Sequence, residues 1–318
     1  MPDKPIFLGV DVGNYNTKSE NVSIPSGYNE FAAKPTYAGN YLCYNGKYYV
    51  PREERFDYLM DKTINERHFI LTLMSISAEL LYRIKKHSTN YQEQVNKVKT
   101  IHLGVGVPPA HHSHLAKKYV EYFRERFGDE IDYVYNDIHF HYSVPMIRVF
   151  PQDYAVAMEF EDKSEVLKKH YKRYYAVDIG GKTVDFVVIA EGRPEKYRSF
   201  ENGILTMYNE IKSQALTDFG VRLEDSNCEE VLRGYPSVID KEVRDMIRRK
   251  ASEWTNDILS RLRTEGLDFN ANPTIFIGGG ARMLRQFINK SNLVNNFEFV
   301  GNDKANAIAF AKLLKGIQ

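Results

Sequence analysis

Cysteine and tryptophan are scarce in this chain, with two and one among its 318 residues. Cys43 and Cys228 stand far apart and in no metal-ligand spacing. That argues against a disulfide framework or a zinc finger and makes a reducing cytoplasm the expected surroundings. Long apolar runs are missing as well. None approaches the ~20 residues of a membrane span, and the first, Ile6 to Val10, is too short for the core of a secretory leader. The chain therefore reads as a protein without membrane attachment. Nor is there an excess of one charge: 43 basic and 42 acidic side chains leave a net charge of +1. Such a balance supplies no long-range basic field, so direct nucleic-acid binding is not expected. No GxxxxGK[ST] run occurs, which argues against a P-loop, and no low-complexity linker separates one half from the other.

What is present is a chain rich enough in apolar residues, 43%, to bury a large core. Its periodicity alternates between strand and helix. Residues 6–12, 98–107, 174–179, 183–190 and 274–277 read as strands, and residues 41–50 as a hairpin turning at Asn45-Gly46. Residues 63–87, 113–127, 203–219, 238–265 and 303–315 read as helices, several of them ending at a glycine. Gly278 to Gly280 reads as a glycine turn followed by a helix over 281–289. Strands alternating with helices predict an α/β fold.

One pattern occurs twice. Gly9-Val10-Asp11-Val12-Gly13-Asn14 is followed by Asn16, Thr17 and Lys18; Ala176-Val177-Asp178-Ile179-Gly180-Gly181 is followed by Lys182, Thr183 and Asp185. In both, an apolar strand ends at Asp, a β-branched residue and Gly. The two aspartates lie 167 residues apart (178 − 11), about half the chain, as a duplicated domain would place them. A glycine turn lets backbone N–H groups approach an anion closely. Asn14, Asn16, Thr17, Lys182 and Thr183 add polar groups, and Lys18 adds a point positive charge for a phosphate oxygen. Asp11 and Asp178, expected at strand ends on either side of a cleft, suit a hydrated Mg²⁺ held through water. The apolar run Val184 to Ile189 after Gly180-Gly181 predicts a strand, so this turn is a hairpin and not the strand-to-helix crossover of a dinucleotide site.

A third element, Thr274 to Ile288, runs from a strand into three glycines and a helix, a setting for an anion or ribose at the helix start. In this order the three elements resemble the motifs of the actin/Hsp70/sugar-kinase superfamily: two phosphate motifs at Asp11 and Asp178, then an adenosine motif at Gly278-Gly279-Gly280-Ala281. Asn306-Ala307 resembles the start of its returning C-terminal helix. Within that superfamily the chain is most similar to ParM/StbA-type plasmid-segregation actins.

The resemblance implies an actin-like (ribonuclease H-like, duplicated) two-lobe α/β fold with nucleotide in the interlobe cleft. Lobe I would cover 1–165 with a small subdomain near 34–95, lobe II 166–302 with one near 211–272, and residues 303–318 would return to lobe I. The implied cofactors are ATP or GTP with Mg²⁺. Gln152 is the candidate for orienting the attacking water, with Asp153 as the alternative; Lys212 and Met283 would lie by the nucleoside. The implied activity is nucleotide hydrolysis coupled to filament formation, with DNA segregation through an adaptor protein bound to centromere-like DNA. A small-molecule kinase and a non-polymerising nucleotide-binding scaffold are the alternatives. His111, His112, His114, His139 and His141 are read as loop and strand positions and not as a metal site.

Overall fold

A computed structural model describes residues 4–36, 39–56, 59, 61–161, 164, 166–167 and 172–317. Residue 165, the expected end of the first lobe, lies outside the described residues. In chain order the elements are β1 Ile6–Val12, β2 Asn16–Lys18, β3 Ser23–Pro25, β4 Tyr28–Phe31, β5 Leu42–Tyr44, β6 Lys47–Pro51, α1 Arg67–Lys85, α2 Tyr91–Val95, β7 Thr100–Val107, α3 Pro109–Phe127, β8 Ile131–Tyr135, β9 Ile138–Pro151 and α4 Tyr154–Glu161. They continue as β10 Arg173–Ile179, β11 Val184–Ala190, β12 Arg193–Phe200, α5 Ile204–Phe219, α6 Asp225–Arg233, α7 Lys241–Thr264, β13 Thr274–Ile277, α8 Gly278–Met283, α9 Arg285–Ile288, β14 Phe297–Phe299 and α10 Ala305–Gly316. The chain divides into one compact unit of residues 1–156 with 304–318 and another of 157–303.

The first unit is built on a nine-stranded sheet in the order β3-β2-β1-β7-β9-β8-β5-β6-β4. Its centre, β1 against β7 against β9, is parallel. Central parallel strands are covered on both faces, which is why β1 and β7 read as mostly apolar runs. Glycines carve the seat for α10. A Cβ on Gly9 would lie 1.8 Å from the Ala307 carbonyl oxygen, and one on Gly106 2.3 Å from the Phe310 ring. On α1, Glu79 is fully buried, yet it accepts hydrogen bonds from Ser19 Oγ (2.8 Å), Asn21 N (2.8 Å), Asn21 Nδ2 (2.6 Å) and Arg83 Nε (2.7 Å). Burial pushes its carboxyl up, but these donors prevail and hold it below the ordinary value. The β2–β3 turn is thereby fastened to α1. The Asn45-Gly46 hairpin forms as the sequence predicts, both residues at positive φ (49° and 74°) between β5 and β6.

The second unit carries a five-stranded sheet, β12-β11-β10-β13-β14. An antiparallel meander of β10, β11 and β12 is followed by parallel β13 and β14. The same sequence of pairings, β3-β2-β1-β7-β9, makes up one side of the first sheet. The duplication read from two aspartates thus extends to a pairing order of five strands. Helices α5, α6 and α7 enclose a core of Met207, Ile211, Val231, Met246, Trp254 and Ile258.

Candidate functional site

In the first hairpin, β1 and β2 pair antiparallel with Asp11 opposite Lys18 and Val12 opposite Thr17. The turn is closed by the Gly13 N–H donating to the Asn16 carbonyl at 3.2 Å. A Cβ on Gly13 would come within 2.9 Å of that same oxygen, so the closure needs glycine. Asp11 is buried, and its carboxylate accepts from Gln152 Nε2 (2.5 Å) and Asn306 Nδ2 (3.4 Å). Asn14, Asn16 and Lys18 are half-buried along the turn and β2. Thr17 departs from its expected role as a phosphate donor. Alternation turns it inward, fully buried, with its hydroxyl 3.0 Å from Ser26 Oγ. Ser26 has one proton and donates it to the Gly13 carbonyl at 2.6 Å, so Thr17 is the donor in the other bond. Behind the hairpin, His68 Nδ1 lies 3.1 Å from the Tyr119 hydroxyl. Burial pushes His68 far below the ordinary imidazole range, with Lys62 and Arg67 adding to the effect. Burial likewise pushes the Tyr119 phenol far above its range, with Tyr122 and Asp11 adding. Both rings are therefore neutral at neutral pH.

The second hairpin repeats the geometry. Asp178 lies opposite Asp185 and Ile179 opposite Val184, and the Gly180 N–H donates to the Thr183 carbonyl at 2.9 Å. Adding 167 to Asp11, Gly13 and Asn16 gives Asp178, Gly180 and Thr183, so even the closing bond is duplicated. The cross-strand partner differs: lysine faces aspartate in the first hairpin, aspartate faces aspartate in the second. Thr183 is buried and donates to Asp185 Oδ2 at 2.8 Å. Gly181 and Lys182 are half-buried.

The third element corrects one expectation. Gly278, Gly279 and Gly280 are not a turn before a helix; they are the first turn of α8, which ends at Met283, with α9 following after Leu284. The reason is steric. Gly278 has φ +91°, and a Cβ there would lie 1.9 Å from Asp178 Oδ1; one on Gly280 would lie 2.5 Å from the Ile179 carbonyl. The helix starts hard against the second hairpin, and only glycine permits that. Ala281 is buried, and Met283 Sδ accepts from the Tyr208 hydroxyl at 3.0 Å.

Gln152 sits between β9 and α4, and its side chain reaches Asp11. Asp153 is buried at positive φ (60°), and its N–H donates to Asn306 Oδ1 at 3.0 Å. Lys212 on α5 is engaged by Asp225 at 2.7 Å. His139 and His141 lie on β9 and pair with Asp132 (2.8 and 3.3 Å), and His141 also with Glu130 (3.1 Å). Among the described residues no group of three or more histidine, cysteine or acidic side chains is arranged to hold a metal. Three residues against the first hairpin escaped sequence reading. Ser26 is one. Arg55 donates from Nε to the Tyr15 carbonyl at 3.3 Å, and buried Lys62 from Nζ to the Val12 carbonyl at 3.1 Å. No motif marks them, because they act on backbone atoms distant in sequence.

Two duplicated sheets, each carrying an Asp-x-Gly hairpin, define an actin-like fold, and comparison with known proteins agrees. Residues 176–290 match the family model of the C-terminal part of the archaeal actin homologue MreB-like proteins. The archaeal actin homologue Ta0583 in complex with ADP is similar over 98% of this chain and 99% of its own, with a TM-score of 0.72 and 14% identity. ParM of Bacillus thuringiensis with ATP is similar over 99% and 100%, with a TM-score of 0.66 and 14% identity. The Alp12 filament structure is similar over 98% of both chains, with a TM-score of 0.64 and 15% identity. No curated protein matches the sequence. The resemblance to the actin-like superfamily, with ParM-type proteins among the likenesses, is borne out at the level of fold. Among the described residues no helix is long and apolar enough to cross a membrane.

Proposed function

We propose that this protein is a nucleotide-dependent, filament-forming ATPase (or GTPase) that segregates DNA through an adaptor protein. The observation that carries the reading is the duplicated hairpin, in which two aspartates, two glycine amides and two closing carbonyls recur at one spacing. The Gly13 and Gly180 N–H groups close the two turns, so the remaining main-chain N–H groups of each turn are the ones that would meet phosphate oxygens. Gly13, Asn14, Asn16 and Lys18 would serve on one hairpin, and Gly180, Gly181, Lys182 and Thr183 on the other. Gly278, Gly279, Gly280, Ala281, Met283 and Lys212 would take the nucleoside. The ADP and ATP bound by two proteins of this fold make adenine nucleotides the first to test.

The donor set suits Mg²⁺. With no cage of three or more ligating side chains among the described residues, an ion that keeps its waters and takes phosphate oxygens fits better than a dehydrated one. Asp11 and Asp178 would hold it through water, and the ion would offset charge on the transferring phosphoryl group. Gln152, already against Asp11, would orient the attacking water; its amide is too weak a base to take the proton. Assembly into a homopolymer is supported by the filament formed by Alp12.

The test is to add ATP-Mg²⁺ or GTP-Mg²⁺ to purified protein and record light scattering and phosphate release together. A protein-concentration threshold in scattering, with release following assembly, is the expected result. Phosphate release with no assembly at any concentration would overturn the filament reading and favour a kinase or scaffold.

A further inference from the structure

In each hairpin the carbonyls of the turn point toward a set of donors, and the two sets differ in kind. On the second hairpin the donors are main-chain. Gly180, Gly181 and Lys182 carbonyls accept from the N–H groups of Ile204 (3.1 Å), Leu205 (2.9 Å) and Gly203 (2.9 Å), the start of α5. A sixteen-residue helix thus sets the positive end of its dipole on that turn. Among the described residues, the donors to the first hairpin's carbonyls are of another kind. There the Val12 carbonyl takes Lys62 Nζ (3.1 Å), and the Gly13 carbonyl takes Ser26 Oγ (2.6 Å). The Tyr15 carbonyl takes Ser26 N (3.2 Å) and Arg55 Nε (3.3 Å). The Arg55 guanidinium also lies 3.9 Å from the Tyr15 ring centroid. Two of these donors are cations, where the second hairpin has a helix end.

Resting on the nucleotide reading above, we propose that Arg55 and Lys62 are positioning residues that preset the first hairpin for a polyphosphate. In a trans peptide the carbonyl and the following N–H point to opposite sides. Holding the Gly13 and Tyr15 carbonyls on the Ser26–Arg55 side therefore turns the Asn14 and Asn16 N–H groups the other way. Cations on the carbonyl side keep the turn from flipping and add positive potential beneath the bound anion. The seat of Lys62 is itself fixed. Asp61 accepts from Thr63 N (2.9 Å), Thr63 Oγ1 (2.6 Å) and Lys118 Nζ (2.5 Å), and Tyr122 donates to the Asn65 carbonyl at 2.8 Å.

The test replaces each cation by a side chain of similar length, Lys62→Met and Arg55→Met, with Lys62→Arg as the rescue. Two measurements are made on each full-length variant. In the first, amide hydrogen exchange is followed without nucleotide. Faster exchange across residues 12–16, with residues 180–183 unchanged, is expected; an unchanged first hairpin would overturn the positioning role whether or not nucleotide binds. In the second, ATP and AMP are titrated with Mg²⁺. Loss of a charge-assisted bond that sets the turn should weaken ATP about tenfold or more while AMP shifts far less, and Lys62→Arg should recover most of the ATP affinity. Equal weakening of ATP and AMP would mark a general structural defect and overturn the proposal. Wild-type protein that binds no nucleotide would instead remove the functional reading, while the exchange result still decides the role of the two cations on the hairpin.

Discussion

The two hairpins reach one backbone geometry by different routes. The closing bond, Gly N–H to the carbonyl three residues on, is 3.2 Å in the first and 2.9 Å in the second. The second leans on main chain: the α5 start caps its carbonyls, and the α8 start packs against Asp178. The first leans on side chains, with Ser26, Arg55 and Lys62 beneath the turn and Gln152 and Asn306 on Asp11. A main-chain cap depends on close approach, so its weak points are glycines. A side-chain cap depends on chemistry, so its weak points are polar residues. The prediction is that substitutions will fail differently on the two sides.

The largest effect is expected at Gly278. Alanine there needs φ +91°, and its Cβ would sit 1.9 Å from Asp178 Oδ1. Backbone strain, the contact with the Asp178 carboxylate and an approach of 2.9 Å to the Ile179 carbonyl oxygen should together cost roughly 3–5 kcal/mol. Urea unfolding should show the loss in the transition of the second unit; a midpoint close to wild type would mean that α8 does not depend on this approach. Next is Gly203→Ala. Its φ is ordinary, but a Cβ would lie 2.5 Å from the Gly181 carbonyl oxygen, so α5 must back away from the hairpin it caps. We expect a loss of about 2–3 kcal/mol and faster exchange at residues 180–183. Normal protection there would break the contrast with the first hairpin.

Ser26→Ala is the counterpart on the side-chain route and should be milder. It removes the donor to the Gly13 carbonyl and the acceptor for buried Thr17, a loss of about 1–3 kcal/mol, with no clash to relieve. Restoration by Ser26→Thr would show that the hydroxyl carries the effect. A variant as stable as wild type would mean that Arg55 and Lys62 suffice.

What sequence reading could and could not reach follows the same division. The hairpins were legible because their signal is local: an apolar strand, Asp, Gly and a return strand lie within about ten residues, and the duplication doubles the signal. The switch from glycines to strand at Val184 was legible for the same reason, and the Asn45-Gly46 turn also. The caps were not. Lys62 and Arg55 reach back to turn carbonyls 50 and 40 residues earlier, and nothing in their own neighbourhood marks them. Gly203 and Gly106 were unremarkable in sequence, since each is demanded by an element that lies elsewhere in the chain. Gly278 to Gly280 were visible but misplaced as a turn, because composition does not distinguish a glycine needed for φ from one needed for closeness. Thr17 shows a related limit: residue type suggested a ligand, and a tertiary partner, Ser26, holds its hydroxyl.

The smallest and most specific effect concerns acid. Asp61 fixes the loop that carries Lys62. Burial raises its carboxyl, but the Lys118 and Thr63 donors prevail and pull it from 3.8 down to about 2. A carboxyl depressed by folding contributes stability that is complete above its unfolded value and is lost as pH falls through the folded one. The hold of Asp61 should therefore be complete above about pH 4 and fade toward pH 2. The main-chain cap on the second hairpin has no such group among its donors. Protection factors at residues 12–16, corrected for intrinsic exchange, should thus fall between about pH 4 and pH 2 relative to those at residues 180–183. Asp61→Asn keeps an acceptor for Thr63 but cannot titrate, so it should lower the first hairpin's protection slightly at pH 5 and flatten its pH dependence. A wild-type ratio of the two protections that holds steady across that range would separate Lys62 from Asp61, and the first hairpin's cap would then rest on Ser26 and Arg55.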